Sequence, residues 1–148
     1  YIPATNNLCS TMTGHPVDYV PGQRFAGAEF DVLMHDDASH VSELQAWDID
    51  TGNQVWNHGL VTGGNGAVLA TGGSLVFLGG GDLRAFNAVS GRVMWQMRTN
   101  ASRTGVPTTY AVDGVQYVAI QSGAAPRTDP GNASDAGIVW AFSVDCQC

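Results

Sequence analysis

Ala46-Trp47-Asp48-Ile49-Asp50-Thr51-Gly52-Asn53-Gln54-Val55-Trp56 returns 39 residues on (46 to 85) as Ala85-Phe86-Asn87-Ala88-Val89-Ser90-Gly91-Arg92-Val93-Met94-Trp95. The Ala, the Gly and the closing Trp are identical. The second-position aromatic, the Asp/Asn and the Thr/Ser match in kind, and Leu44 and Leu83 extend the match upstream. Each copy reads as strand, turn, strand. Apolar alternation stops at Asp or Asn, Thr/Ser-Gly supplies a turn that tolerates positive φ, and a second strand carries the Trp. Two further short strands, 67–71 and 75–78, lie between the copies and meet at Gly72-Gly73. After the second copy the order repeats: 106–112 and 116–121 flank Asp113-Gly114, and 138–143 echoes 83–87. Four short strands in a period of about 40 residues is the pattern of a β-propeller blade. No helical period competes with it. The prediction is an all-β fold of about two blades plus part of another: 67–99 complete, a nearly complete one after it, and the end of one before it. Propellers close with about four to eight blades, so these belong to a larger ring. Segments 10–43 and 124–137 break the repeat and read as irregular insertions, of the kind that gathers on a functional face.

Composition narrows the partners. The 148 residues include 19 Gly, roughly twice the usual share, and only 13% charged residues. All six basic residues are Arg, against 13 acidic ones, for a net charge of −7. That excludes nucleic acid and an anionic membrane surface as main partners, because both need clustered cations. No apolar run in these residues is long enough to span a bilayer, and none of them reads as a signal peptide. The hydrophobic share of 44% is too high for a disordered chain. Cys9, Cys146 and Cys148 are odd in number, which leaves their pairing open, and no Cys-x-x-Cys spacing supports a zinc ribbon or an attached haem. The opening Tyr1-Ile2-Pro3 reads as the middle of a structural element, from either a processed N-terminus or a break within a longer chain.

The Ala-x-Asp/Asn-x-x-Thr/Ser-Gly-x-x-x-Trp motif resembles the tryptophan-docking motif of the pyrroloquinoline quinone (PQQ)-dependent alcohol dehydrogenases, eight-bladed propellers whose Trp rings pack between blades. Other stretches resemble the C-terminal part of that family in the same order: Tyr1-Ile2-Pro3-Ala4-Thr5-Asn6-Asn7-Leu8-Cys9, Pro21-Gly22-Gln23-Arg24-Phe25-Ala26-Gly27-Ala28, Leu69-Ala70-Thr71-Gly72-Gly73-Ser74-Leu75-Val76-Phe77-Leu78-Gly79 and Asp113-Gly114-Val115-Gln116-Tyr117-Val118-Ala119. The resemblance implies that residues 1–148 are the C-terminal segment of a single propeller domain. It also implies a bacterial periplasmic or secreted enzyme that oxidises alcohols by hydride transfer to PQQ, beside a bound Ca²⁺ or lanthanide. The metal ligands and the general base fall outside this chain. The remaining propeller chain or chains and the alcohol are the implied partners, with a cytochrome c as one candidate electron acceptor.

By the same resemblance, Asn6 falls on an Asn that hydrogen-bonds PQQ. An amide suits that task, because PQQ presents carbonyl and carboxylate acceptors and Asn carries two N–H donors. Gly64 or Asn65 stands where relatives place a Trp beside the cofactor, and Arg127 where several place a Trp over the entrance. Loss of both aromatics predicts a wider, more polar pocket, suited to polyols, sugars or bulky alcohols. His35-Asp36-Asp37-Ala38-Ser39-His40 matches no standard metal spacing and reads as solvated loop polarity. Asp48-x-Asp50-x-Gly52 is explained by the repeat turn rather than by a calcium loop. A second function class stays open here, a non-catalytic propeller scaffold that binds proteins. The Asn6 segment and the two irregular loops favour the enzyme, because a plain scaffold needs neither.

Overall fold

The computed structural model describes residues 1–22, 26–61, 66–99, 104–123 and 137–143. Twelve strands run β1 (Ile2–Thr5), β2 (Leu8–Gly14), β3 (Ala28–Met34), β4 (Ser42–Trp47), β5 (Gln54–Leu60), β6 (Val68–Ala70), β7 (Leu75–Leu78), β8 (Asp82–Asn87), β9 (Val93–Arg98), β10 (Thr108–Val112), β11 (Val115–Ser122) and β12 (Ile138–Ser143). No helix occurs among the described residues. The strands form a three-stranded sheet β1-β4-β5, a ribbon β2-β3, a four-stranded sheet β6-β7-β8-β9 and a three-stranded sheet β10-β11-β12, with every pairing antiparallel. The complete blade expected over 67–99 is the four-stranded sheet.

The two copies of the motif match in geometry as well as in sequence. Asp48 Oδ1 accepts the backbone N–H groups of Asp50 and Thr51 at 2.9 and 3.1 Å. Asn87 Oδ1 accepts those of Val89 and Ser90 at 3.1 and 2.9 Å. A short polar side chain therefore builds each turn by satisfying its N–H groups. Gly52 and Gly91 then take φ values of 70° and 69°, where a Cβ is costly. A register shift follows each Ala, between Ala46 and Trp47 and between Ala85 and Phe86.

The central sheet is covered on both faces. Val76, Leu78 and Phe86 pack against Leu44 and Leu60 of the first sheet, and Phe77, Leu83 and Ala85 pack against Val118 and Ile120 of the last. That explains why Leu75-Val76-Phe77-Leu78 has no polar position: alternate residues meet different neighbours, and both neighbours are apolar. A fully buried side chain of this size contributes about 1.5–3 kcal/mol relative to an exposed one. Trp56 spans the first interface. Its Nε1 donates to the Ala88 carbonyl at 3.0 Å, and its ring lies where a Cβ on Gly91 would come within 2.6 Å. Tyr1 tilts against the same ring with centroids 5.8 Å apart, and its hydroxyl donates to the Ala88 carbonyl at 3.1 Å. His58 meets the edge of Phe86 at this interface, and burial, with the nearby Arg84 charge, pushes its pKa down.

Two expectations need correction. Segment 10–43 is not irregular throughout, because β2 and β3 pair from Leu8↔Met34 to Gly14↔Ala28. Its alternation (Leu8, Met12, Phe30, Val32, Met34 on one face) was hidden by the Thr, Ser and Gly between those positions. Trp56 and Trp95 are both expected to be buried between neighbouring blades; Trp56 is half-buried, and Trp95 is 40% exposed and meets only the edge of Phe142 among the described rings. The residues after Ser143, which correspond to Ala88–Gly91 in the repeat, lie outside the described residues. At the other end of the chain, Trp47 is 41% exposed, whereas Phe86 at the equivalent position is fully buried. The difference is the neighbouring sheet that Phe86 has and Trp47, among the described residues, lacks.

Gly91 and Gly52 share a backbone conformation but not an environment, since nothing lies within 4 Å of a Cβ on Gly52. Gly52→Ala is therefore expected to cost the full-length protein about 1 kcal/mol, the left-handed backbone penalty alone. Gly91→Ala is expected to cost about 1–3 kcal/mol more, because it also drives a methyl into the Trp56 ring. Denaturant unfolding of both variants is the check, and equal losses would show that the ring does not depend on the bare turn.

Candidate functional site

The antiparallel order gathers the connections at two ends. The tight turns 48–53, 71–74, 88–92 and 113–114 lie at one end. The connections that follow β1, β5, β7, β9 and β11 lie at the other. Close backbone approaches tie this second end together: Gly79 N donates to Ala67 O at 3.2 Å and Gly105 N to Gln121 O at 2.7 Å. Asn6 stands here, directly after β1. Gly64, Asn65 and Arg127 lie outside the described residues, in segments that begin at this same end after β5 and β11.

At Asn6 the chain must turn out of the sheet and into the β2-β3 ribbon. Asn6 N donates to Val41 O at 3.1 Å, and Asn7 takes a φ of 59° and gives its Nδ2 to the His40 carbonyl at 3.0 Å. These bonds bring β1 and the start of β4 together around one carboxylate. Glu43 Oε1 accepts from Asn6 Nδ2 at 2.6 Å and from His40 Nε2 at 2.7 Å, and Oε2 accepts from Gln45 Nε2 at 2.9 Å. Gln45 Oε1 in turn accepts the Trp47 Nε1–H at 3.0 Å. Glu43 is only 7% exposed. The bonds from Gln45, His40 and Asn6 hold its pKa at about 2, against the desolvation that would raise it.

A carboxylate that stays ionised can only accept, and this fixes its neighbours. His40 turns Nε2 to the carboxylate and donates from it, and its Nδ1 lies 3.0 Å from Ser39 Oγ. The Asn6 amide turns its nitrogen to Glu43, and Asn6 Oδ1 is left buried without a partner. An unpaired buried oxygen of this kind costs about 1–3 kcal/mol. The only other such atom among the described residues, Thr104 Oγ1, also lies at this end, 2.5 Å from where a Cβ on Gly79 would stand. Gly59, opposite Glu43 in β5, makes room for the His40 ring, since a Cβ there would come within 2.8 Å of Nδ1.

Of the two N–H donors that make Asn6 a candidate, one is committed to Glu43. His40 leaves the loop polarity assigned to it and joins the site, while His35, Asp36 and Asp37 stay exposed. Glu43 and Gln45 join the site without a motif to mark them. Their signal is a pair of polar residues on one face of β4, with Gly59 opposite Glu43. Among the described residues no three His, Cys, Asp or Glu side chains gather as a metal site, and no helix is long and apolar enough to cross a membrane.

Short antiparallel sheets that follow one another along the chain, pack through apolar faces and are stapled by an indole on a bare turn define a β-propeller segment. The family described as "Glucose/ethanol/alcohol dehydrogenase, beta-propeller domain" matches residues 58–118. A quinoprotein ethanol dehydrogenase of Pseudomonas putida is 36% identical over 126 residues, covering 83% of this chain and 20% of the relative. A 1-butanol dehydrogenase (cytochrome c) of Thauera butanivorans is 37% identical over 110 residues, covering 70% and 16%. The solved structure of a europium-containing methanol dehydrogenase superposes with a TM-score of 0.70 at 26% identity, covering 82% of this chain and 22% of that one. The chain belongs to the PQQ-dependent, or quinoprotein, alcohol dehydrogenase family, and it spans between 16% and 22% of the length of these relatives.

A carboxyl with a lower pKa folded than unfolded adds stability that is complete above the unfolded value of 4.5 and disappears as pH falls toward about 2. The full-length protein is therefore expected to lose stability between pH 4.5 and 2 more steeply than its Glu43→Gln variant. The depressed His58 is common to both and cancels in the comparison. Parallel curves of unfolding free energy against pH would refute the clamp on Glu43.

Proposed function

We propose that this chain is the C-terminal part of a PQQ-dependent alcohol dehydrogenase. The observation that carries this reading is the Asn6 amide, held at the connection-rich end of the sheets with one N–H spent on Glu43 and one left to donate. That residual N–H fits a cofactor that presents carbonyl and carboxylate oxygens. Bound PQQ supplies the two-electron acceptor for oxidation of an alcohol to an aldehyde or ketone, beside a Ca²⁺ or lanthanide whose ligands lie outside this chain. Asn6 hydrogen-bonds and orients the cofactor. By the same reading Gly64 and Asn65 belong to the cofactor site and Arg127 to the substrate pocket, and Asn65 and Arg127 offer hydrogen bonds in place of apolar walls. Such groups favour polyols, sugars or other bulky alcohols over methanol. The remaining blades cover the exposed face of the first sheet, where Ile2, Trp47 and Val55 are 50%, 41% and 59% exposed. The protein works in the bacterial periplasm or outside the cell. A cytochrome c takes its electrons, as the name of the Thauera butanivorans relative supports.

The test uses the full-length protein with PQQ and either Ca²⁺ or a lanthanide. Quinone absorbance and alcohol-dependent dye reduction are expected. The kcat/KM for a sugar alcohol and for 1-butanol should exceed that for methanol by about tenfold, and Arg127→Ala should weaken turnover of the sugar alcohol more than that of 1-butanol. A preference for methanol would overturn the substrate assignment. Absence of bound quinone would return the chain to the scaffold class.

A further inference from the structure

We infer that Glu43 is a positioning residue for Asn6: it draws the nitrogen of the Asn6 amide toward itself and so decides which atom of Asn6 a ligand meets. This rests on the cofactor site proposed above and adds a residue to it. The geometry carries it. Asn6 Nδ2 lies 2.6 Å from Glu43 Oε1, while Asn6 Oδ1 is buried with no donor. A free amide would rotate until its oxygen found a partner. This one cannot, because rotation would set its oxygen against a carboxylate. Glu43 is itself immobile, since His40 and Gln45 hold its two oxygens and the His40 ring is seated over Gly59. The backbone bond from Asn6 N to Val41 O fixes the rest of the residue. The product of these restraints is one N–H in a set orientation, which suits an acceptor oxygen on the ligand, a quinone carbonyl or a carboxylate. Glutamine at position 43 would keep the shape and lose the restraint, because its amide can present either N–H or C=O to Asn6.

The experiment is a double-mutant cycle on the full-length protein in the presence of Ca²⁺, titrated with PQQ and followed by the absorbance of the bound quinone. Glu43→Gln and Asn6→Ala are each expected to raise the Kd for PQQ by about tenfold, the scale of one well-placed hydrogen bond. The double variant should bind no more weakly than Asn6→Ala alone, because Glu43 acts only through Asn6. The absorption band of the bound quinone should shift in Glu43→Gln, a change that a purely structural role would not produce. An unchanged Kd and band, or additive losses in the double variant, would overturn the inference while leaving the proposed function standing. A wild-type protein that binds no PQQ would remove both. A crystal structure of the PQQ-bound wild type decides the matter without any variant. Asn6 Nδ2 should lie within about 3.2 Å of both Glu43 and a cofactor oxygen. An Asn6 that faces Glu43 with its oxygen, or that does not touch the cofactor, would refute the inference.

Discussion

An indole can lie flat on a polypeptide only where the backbone is bare, and the Trp56 ring has found such a place at Gly91. Much of this structure follows from that contact. Gly91 is bare and left-handed because it closes the turn that Asn87 builds, so the polar chemistry of the turn and the apolar packing of the sheets are one requirement. The turn also leaves the Ala88 carbonyl pointing outward, and Trp56 and Tyr1 both donate to it. The ring contributes its area and its N–H at the same spot, which is the use for which Trp is chosen over Phe. With the first and central sheets stapled there, Leu44, Leu60, Val76, Leu78 and Phe86 close the interior behind it.

Most of this architecture could be read from the chain because the repeat states it twice. A single copy of Asp-x-x-Thr-Gly is only a turn. Two copies at a fixed offset, each followed by Trp, tie a turn to a packing residue and define a unit. Within the turn, equivalent residues then do equivalent work, from the side-chain cap to the strand irregularity after Ala. The ribbon β2-β3 escaped because it has no second copy. Its apolar residues alternate correctly, but Thr11, Thr13 and Gly14 interrupt them in the chain, and pairing across the 15–27 loop leaves no local trace.

The site was legible only in part, and for a reason of geometry. Asn6 could be singled out through a resemblance, but its bonding depends on Glu43 and His40, which lie more than thirty residues away and arrive through strand pairing. Glu43 and Gln45 form a polar pair on one face of β4, but nothing in the strand itself announces that Asn6 and His40 will reach Glu43. Nor does the composition of 35–40 distinguish His40, which points into the site, from His35, which does not. The orientation of the Asn6 amide follows from the protonation of its neighbour, and no one-dimensional pattern encodes that.

The Trp56 contact is also directional. The first sheet supplies the indole and the central sheet the bare turn, so the two sheets meet through unlike surfaces, head to tail. A chain built this way can gain or lose a whole unit with its joints intact, since every new joint repeats an old one. Losing half a unit would strand an indole without a turn, or a turn without an indole. A joint of this kind is thus spaced in steps of one blade, because the turn and the indole that it needs lie on neighbouring sheets.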